Sequence, residues 1–304
     1  MYTYLFKEMQ KQLLSSTLFS DNCNMSEYIS VALIGRPIPE RRIDQVMDFD
    51  IVIVLKDPMT KKKHNEVKRI FENLQNHATD NIAIMYQIAD GPIKPFPLKK
   101  VNLFFHVLLH TVKSYKKSPL ILVKNSWQYE EHTIIGLPLA EIQKIPEIKL
   151  DTLLDGKLGI RHCKELILSH ASAYLEWLDA EDMQSMDMVL TPILFKENCE
   201  ILEICYYSVL RGASNSLRYI LGHSKDIGID VKDMQLFSQV FHDFKHKELP
   251  LNYCYEKIKF RQVEWHPNNQ DVIDRLNQTM EFLTSLEIDI EKRSSIPKNE
   301  YCTI

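Results

Sequence analysis

The chain has 304 residues, of which 45% are apolar and 26% charged, and a net charge of −4. A length of this order predicts one large domain or two ordinary ones, with a core that needs no disulfide staples. The slight acidity leaves no basic excess to drive non-specific nucleic-acid binding. No apolar run approaches the ~18 residues of a membrane span. Lys7, Glu8 and Lys11 interrupt the N-terminal segment, so it does not read as a signal peptide. The six cysteines, at 23, 163, 199, 205, 254 and 302, form no C-x-x-C pair. They read as reduced thiols of a cytosolic protein.

Leu5, Met9 and Leu13 recur every fourth residue and predict a first helix. "YISVALIG" (28–35) and "DIVIVLK" (50–56) are rich in β-branched residues and predict buried strands. Between them lies the arginine-bearing loop that follows Gly35. Within 61–77, Val67, Ile70, Phe71 and Leu74 fall at i, i+3, i+4 and i+7, the face of an amphipathic helix. "NIAIMYQIA" (81–89) and "VNLFFHVLLHT" (101–111) predict two more strands. The proline-bearing "DGPIKPFP" between them predicts a hairpin. Residues 118–150 are mixed and close the first domain.

Beyond about residue 150 the pattern becomes helical. Leu166, Ile167, Ala171, Tyr174, Leu175 and Leu178 mark one helix, and 188–211 a second. Leu236, Phe237, Val240, Phe241 and Phe244 mark a third, and Val272, Ile273, Leu276, Met280 and Leu283 a fourth. The expected fold class is α+β: a mixed sheet with flanking helices over 1–150, then an all-helical bundle over 151–304.

Asp48 and Asp50 open the second strand. Residues i and i+2 of a strand share a face, so the two carboxylates are expected side by side, roughly 6.5–7 Å apart. Two like charges that close need water or cations between them. Magnesium suits the second case, because it takes hard oxygen ligands and is held by one or two carboxylates plus substrate phosphates. D-x-D alone is common by chance. "EIDIE" at 287–291 also alternates carboxylates, but it closes a helical segment, has no glycine loop before it, and reads as polar surface.

The setting of Asp48 and Asp50 is more specific. An apolar strand runs into Gly35, eleven residues separate Arg36 from Asp48, and Asp-Phe-Asp leads into an apolar strand. This stretch resembles the polymerase-β-type nucleotidyltransferase superfamily, whose pattern is an apolar residue, Gly, Gly or Ser, a spacer of this length, and Asp-apolar-Asp or Glu. The order strand, loop, strand, helix, strand is similar too. So is a C-terminal helical domain, as in the antibiotic nucleotidyltransferases.

The resemblance implies roles residue by residue. Gly35 would let the backbone approach nucleotide phosphates, having no side chain in the way. Arg36, Arg41 and Arg42 would bind phosphate through charge-assisted bonds. Asp48 and Asp50 would hold magnesium, as a pair of ions clamping the attacking and leaving oxygens. An acceptor hydroxyl, on a small molecule or on RNA, would attack the α-phosphorus of a nucleoside triphosphate, and pyrophosphate would leave. The net acidity favours the small molecule.

Two positions differ from the family's pattern. Arg36 stands where it places Ser or Gly, and Pro37 follows without an N–H. "VNLFFHVLLHT" offers His106 but no third acid, leaving Asp90 as the nearby candidate. An impaired nucleotide-binding or regulatory module of the same fold is therefore an alternative.

Other constellations point elsewhere. Arg218 and His223, with four residues between them in "RYILGH", resemble the arginine–histidine motif of the HEPN helical ribonucleases. The same residues also read as a helix end, with Gly222 as the stop. His242 and His246 have i, i+4 spacing but no third zinc ligand at fixed spacing. Glu130 and Glu131 are candidates for a general base. Trp127, Trp177 and Trp265 read as core.

Overall fold

The structure is a computed structural model describing residues 2–21, 25–34, 47–78, 83–89, 103–117, 131–144, 152–181, 184–221, 227–262 and 266–294, with backbone alone at 2, 3, 47, 48, 152–158, 260–262 and 294. It divides into two compact units. One comprises Met1–Pro92, Lys100–Ile148 and Ala173–Thr191; the other comprises Ile93–Lys99, Lys149–Ser172 and Pro192–Ile304. The described elements are α helices and two sheets, as the α+β expectation requires.

The first unit is built on a five-stranded mixed sheet. Its strands are β1 (Tyr28–Ile34), β2 (Met47–Leu55), β3 (Ile84–Ile88), β4 (Leu103–Thr111) and β5 (Glu131–Gly136), in the order β3-β4-β2-β1-β5. β1 runs antiparallel to β2 and β5, whereas β2, β4 and β3 run parallel. Strands buried on both faces need mainly apolar residues, and β2 and β4 supply them apart from Asp48, Asp50, His106, His110 and Thr111. Phe49, Ile51, Ile53 and Leu55 face one cluster with Phe105, Val107 and Leu109. Val52 and Val54 face the opposite cluster with Ala32, Leu108 and Tyr115.

Helix α1 (Tyr2–Leu14) buries Leu5, Met9 and Leu13 on the first cluster, as predicted. Helix α2 (Lys61–Gln75) buries Val67, Ile70, Phe71 and Leu74 there. Thr60 caps α2, its side chain accepting from the Lys63 N–H at 3.3 Å. Short helices α3 (Val112–Lys117) and α4 (Leu139–Ile142) place Tyr115, Leu139 and Ile142 on the other face.

Glu66 of α2 ties two segments together. It accepts from the Thr17 backbone N–H at 3.0 Å and from Arg69 through Nε at 2.9 Å and Nη2 at 2.7 Å. The Arg69 bonds hold its carboxyl well below the ordinary 4.5, at about 2. A depressed carboxylate contributes stability above its unfolded pKa and loses it as pH falls through the folded one. Glu66→Gln should therefore melt below wild type at neutral pH. The gap should close between about pH 4.5 and 2, as read in thermal melts across that window. A gap that persists below pH 2 would assign the effect to packing instead.

Gly136 ends β5 with φ +76°, and a Cβ there would lie 2.2 Å from the Ile29 carbonyl oxygen. The left-handed region alone costs a non-glycine residue ~1–2 kcal/mol, and the backbone clash adds to it. Gly136→Ala should lower the urea midpoint by at least that cost.

Three expectations about these elements fail. The β3–β4 hairpin does not exist: Ile84 pairs with Leu103 and Ile88 with Val107 in a parallel ladder. Parallel neighbours need a crossover connection, and the prolines between 90 and 102 mark a break without fixing its direction. The helix expected through Leu178 ends at Ser169. His170 adopts φ +48°, and β6 (Ala171–Asp179) follows, paired with β7 (Met186–Leu194). The helix expected from 188 begins at Asn198. Trp177 of β6 donates from Nε1 to the Leu109 carbonyl at 2.9 Å, and Met186 of β7 is buried in the first cluster.

Among its described residues, the second unit is helical apart from the ends of β6 and β7: α5 (Thr152–Ser169), α6 (Asn198–Leu221), α7 (Val231–Val240), α8 (Leu249–Gln262) and α9 (Asn269–Ser294). α6 is its centre, with Leu202, Cys205, Tyr206, Val209, Ala213 and Leu217 all buried. Phe237, Phe241, Phe244 and Phe282 pack ring to ring, and Arg293 lies over Phe241 at 4.8 Å. Cys163, Cys199, Cys205 and Cys254 are free thiols, as expected. Burial raises the Cys163 and Cys205 thiols to about 12, which makes both poor nucleophiles. Among the described residues no helix is long and apolar enough to cross a membrane.

Candidate active site

The second face of the sheet changes character along β2 and β4. Val52, Val54 and Leu108 are sealed in the core, but one step toward the strand starts the same face carries Asp50 and His106. The ladder places them directly opposite each other. The Asp50 side chain is 39% exposed and the His106 side chain 8%. A carboxylate thus sits at the solvent-facing end of the β2 face that Val52 and Val54 bury in the core.

Both ring nitrogens of His106 are engaged. Nε2 lies 2.9 Å from the Ala89 carbonyl oxygen and Nδ1 lies 2.9 Å from Asp50 Oδ1. A carbonyl oxygen only accepts, so Nε2–H donates to it. The Nδ1 contact then needs a proton between nitrogen and carboxylate. That shared proton links the two neighbouring strands through one hydrogen bond. Asp50 Oδ2 makes no hydrogen bond among the described residues.

On its other side Asp50 pairs with Ile34, the last residue of β1. Gly35 is the next residue in the chain after Ile34, and Arg36, Arg41 and Arg42 follow it. Those four residues lie outside the described set, as does Asp90. Asp48 is placed by its backbone, in β2 opposite Phe104. β2 begins at Met47, earlier than expected, so both aspartates belong to the strand itself. A hard, half-exposed carboxylate oxygen such as Asp50 Oδ2 is a donor magnesium accepts. Among the described residues no three His, Cys, Asp or Glu side chains are grouped to hold a metal.

The remaining candidates have structural employment. Glu131 accepts from the Thr133 hydroxyl, and its two oxygens lie 3.0 Å from the Leu139 N–H at the start of α4. That is a helix-start contact, which accounts for the residue without a proton-transfer role. Glu130 lies outside the described residues, as do Trp127 and Trp265. Arg218 directs Nε, at 2.9 Å, and Nη2, at 2.5 Å, to the Ile227 carbonyl. His223 is outside the described set. α7 ends at Val240, so His242 and His246 do not share a helix face. His246 Nε2 instead faces Glu281 at 3.3 Å. In "EIDIE", Glu287 pairs with Lys164 and Asp289 with Arg293, both half-buried, and Ile290 is fully buried, so the stretch is less of a polar surface than expected.

His106 is the residue that sequence reasoning undervalued. It was legible as a polar residue inside an apolar strand. Its pairing with Asp50 joins positions 56 apart in sequence and depends on a strand register that sequence alone does not fix.

No family model matches the chain. No curated protein matches its sequence. Among solved structures, the chain is similar to a spectinomycin adenyltransferase from Enterococcus faecialis crystallised with ATP and spectinomycin. The TM-score is 0.49 and the identity 12%, over 93% of this chain and 99% of that one.

Proposed function

We propose that the sheet unit is a nucleotidyltransferase-type domain. It would transfer a nucleotidyl group from a nucleoside triphosphate to a hydroxyl of a small-molecule acceptor. The observation that carries this reading is Asp50: a half-exposed carboxylate on the β2 face that Val52 and Val54 bury in the core, in ladder contact with Ile34, the residue before Gly35. The glycine, arginine and D-x-D spacing of 35–50 supports it from the sequence side.

In this reading Asp48 and Asp50 hold magnesium, which when bound offsets charge on the phosphates and the leaving pyrophosphate. Gly35 gives the phosphates access to the backbone. Arg36, Arg41 and Arg42 bind and orient them by charge-assisted bonds. The test is to supply ATP, CTP, GTP or UTP with magnesium and a panel of polyhydroxylated acceptors, and to follow nucleotide binding and pyrophosphate release. Failure to bind any of the four nucleotides would overturn the proposal.

One observation favours a second reading, a module of the same fold that binds nucleotide without turnover. Asp50 Oδ1 is already committed to His106, which leaves a single oxygen of that carboxylate for a cation. Tight binding with no pyrophosphate release across the acceptor panel would select it.

A further inference from the structure

We propose that His106 is a positioning residue for Asp50: it reserves Oδ1 and presents Oδ2 alone to the cation. This rests on the nucleotidyltransferase reading above and deepens it.

Three features define the arrangement. His106 and Asp50 are register partners on adjacent parallel strands, so the backbone fixes their separation. The imidazole is itself anchored from behind, because the Ala89 carbonyl takes its Nε2–H at 2.9 Å. The ring is buried while the carboxylate is half-exposed, so the histidine is the fixed member and the aspartate the held one. Asp50 can rotate about its two side-chain bonds, and a hydrogen bond to one oxygen removes most of that freedom. What remains is a carboxylate with one oxygen tied to the protein and one facing outward. An outward oxygen of that kind binds a cation through one atom, as second-layer partners of metal carboxylates do when they orient the ligand.

The donor geometry gives a sharp test. An asparagine amide nitrogen falls near the position of Nδ1 and keeps the bond to Asp50. A glutamine amide falls near Nε2 and keeps the bond to Ala89 instead. Mn2+ binding, alone and with ATP, is titrated by electron paramagnetic resonance on wild type, His106→Asn, His106→Gln, His106→Ala and Asp50→Asn. Thermal melts run in parallel. We expect affinity for Mn2+ with ATP to fall about 10–100-fold in the alanine and glutamine variants and to be largely retained in His106→Asn.

Equal loss in the asparagine and glutamine variants, in step with their melting temperatures, would overturn positioning in favour of plain packing. So would unchanged affinity in all three histidine variants while Asp50→Asn loses binding, and in that case the nucleotidyltransferase reading would stand. If Asp50→Asn binds Mn2+ with ATP as wild type does, or wild type binds neither, the nucleotidyltransferase reading itself falls and takes this one with it. Should His106→Ala fail to fold, the asparagine and glutamine pair decides.

Discussion

Asp50→Asn is expected to reduce magnesium-dependent pyrophosphate release by about 10²–10³-fold, since a metal-held charge contributes several kcal/mol to such a transition state and each ~1.4 kcal/mol is tenfold in rate. The amide keeps the shape of the side chain and loses its charge. The fold should survive, because the residue ends a sheet face that opens to solvent and its neighbours Ile51 and Val52 carry the packing. Asp48→Asn should act in the same direction. The measurement is release rate at fixed nucleotide and acceptor, with circular dichroism to confirm that the variant is folded. A rate equal to wild type would remove Asp50 from the site and leave the sheet motif without a chemical role.

The second large effect is on stability. Phe105 lies in the middle of β4, fully buried, stacked on Phe49 at 5.4 Å and against Phe71 at 5.7 Å. It joins β2, β4 and α2 through one ring. Truncating a buried phenylalanine to alanine loses its transfer free energy and leaves a cavity, about 3–5 kcal/mol in all. Phe105→Ala should therefore lower the denaturant midpoint sharply. Two compact units make two unfolding transitions possible, and the shift should fall on the one reported by the sheet. An effect confined to the transition of the helical unit would contradict this account of the core.

The elements legible in the sequence were those whose pattern is local. The i, i+3, i+4, i+7 set of α2 and the repeat of Leu5, Met9 and Leu13 specify one buried helical face each, and both are buried as read. The failures are non-local. Leu166, Ile167, Tyr174 and Leu178 satisfy a helical period, yet "ASAYLEWLD" is a strand because Trp177 and Met186 complete a core that α1, α2 and the sheet leave open. Chain direction in β3 and β4 is set by the neighbouring strand β2, which the residues between them cannot report. At the candidate site, the D-x-D spacing singled out Asp50 as an expectation. Its contact with His106 was hidden because the pairing depends on register.

The ribbon formed by β6 and β7 has a practical consequence. A sheet fragment cut near residue 148 would lack Trp177 and Met186, and with them the indole bond to Leu109 and the contacts of Asp179 with Lys61. Such a fragment would meet water with part of its hydrophobic interior uncovered, and would be prone to associate through it. Nucleotide-binding work on the isolated sheet would therefore fail for reasons unrelated to its chemistry. Excision has to respect spatial order over chain order, either by keeping 173–191 through a shortened linker or by working with the whole chain.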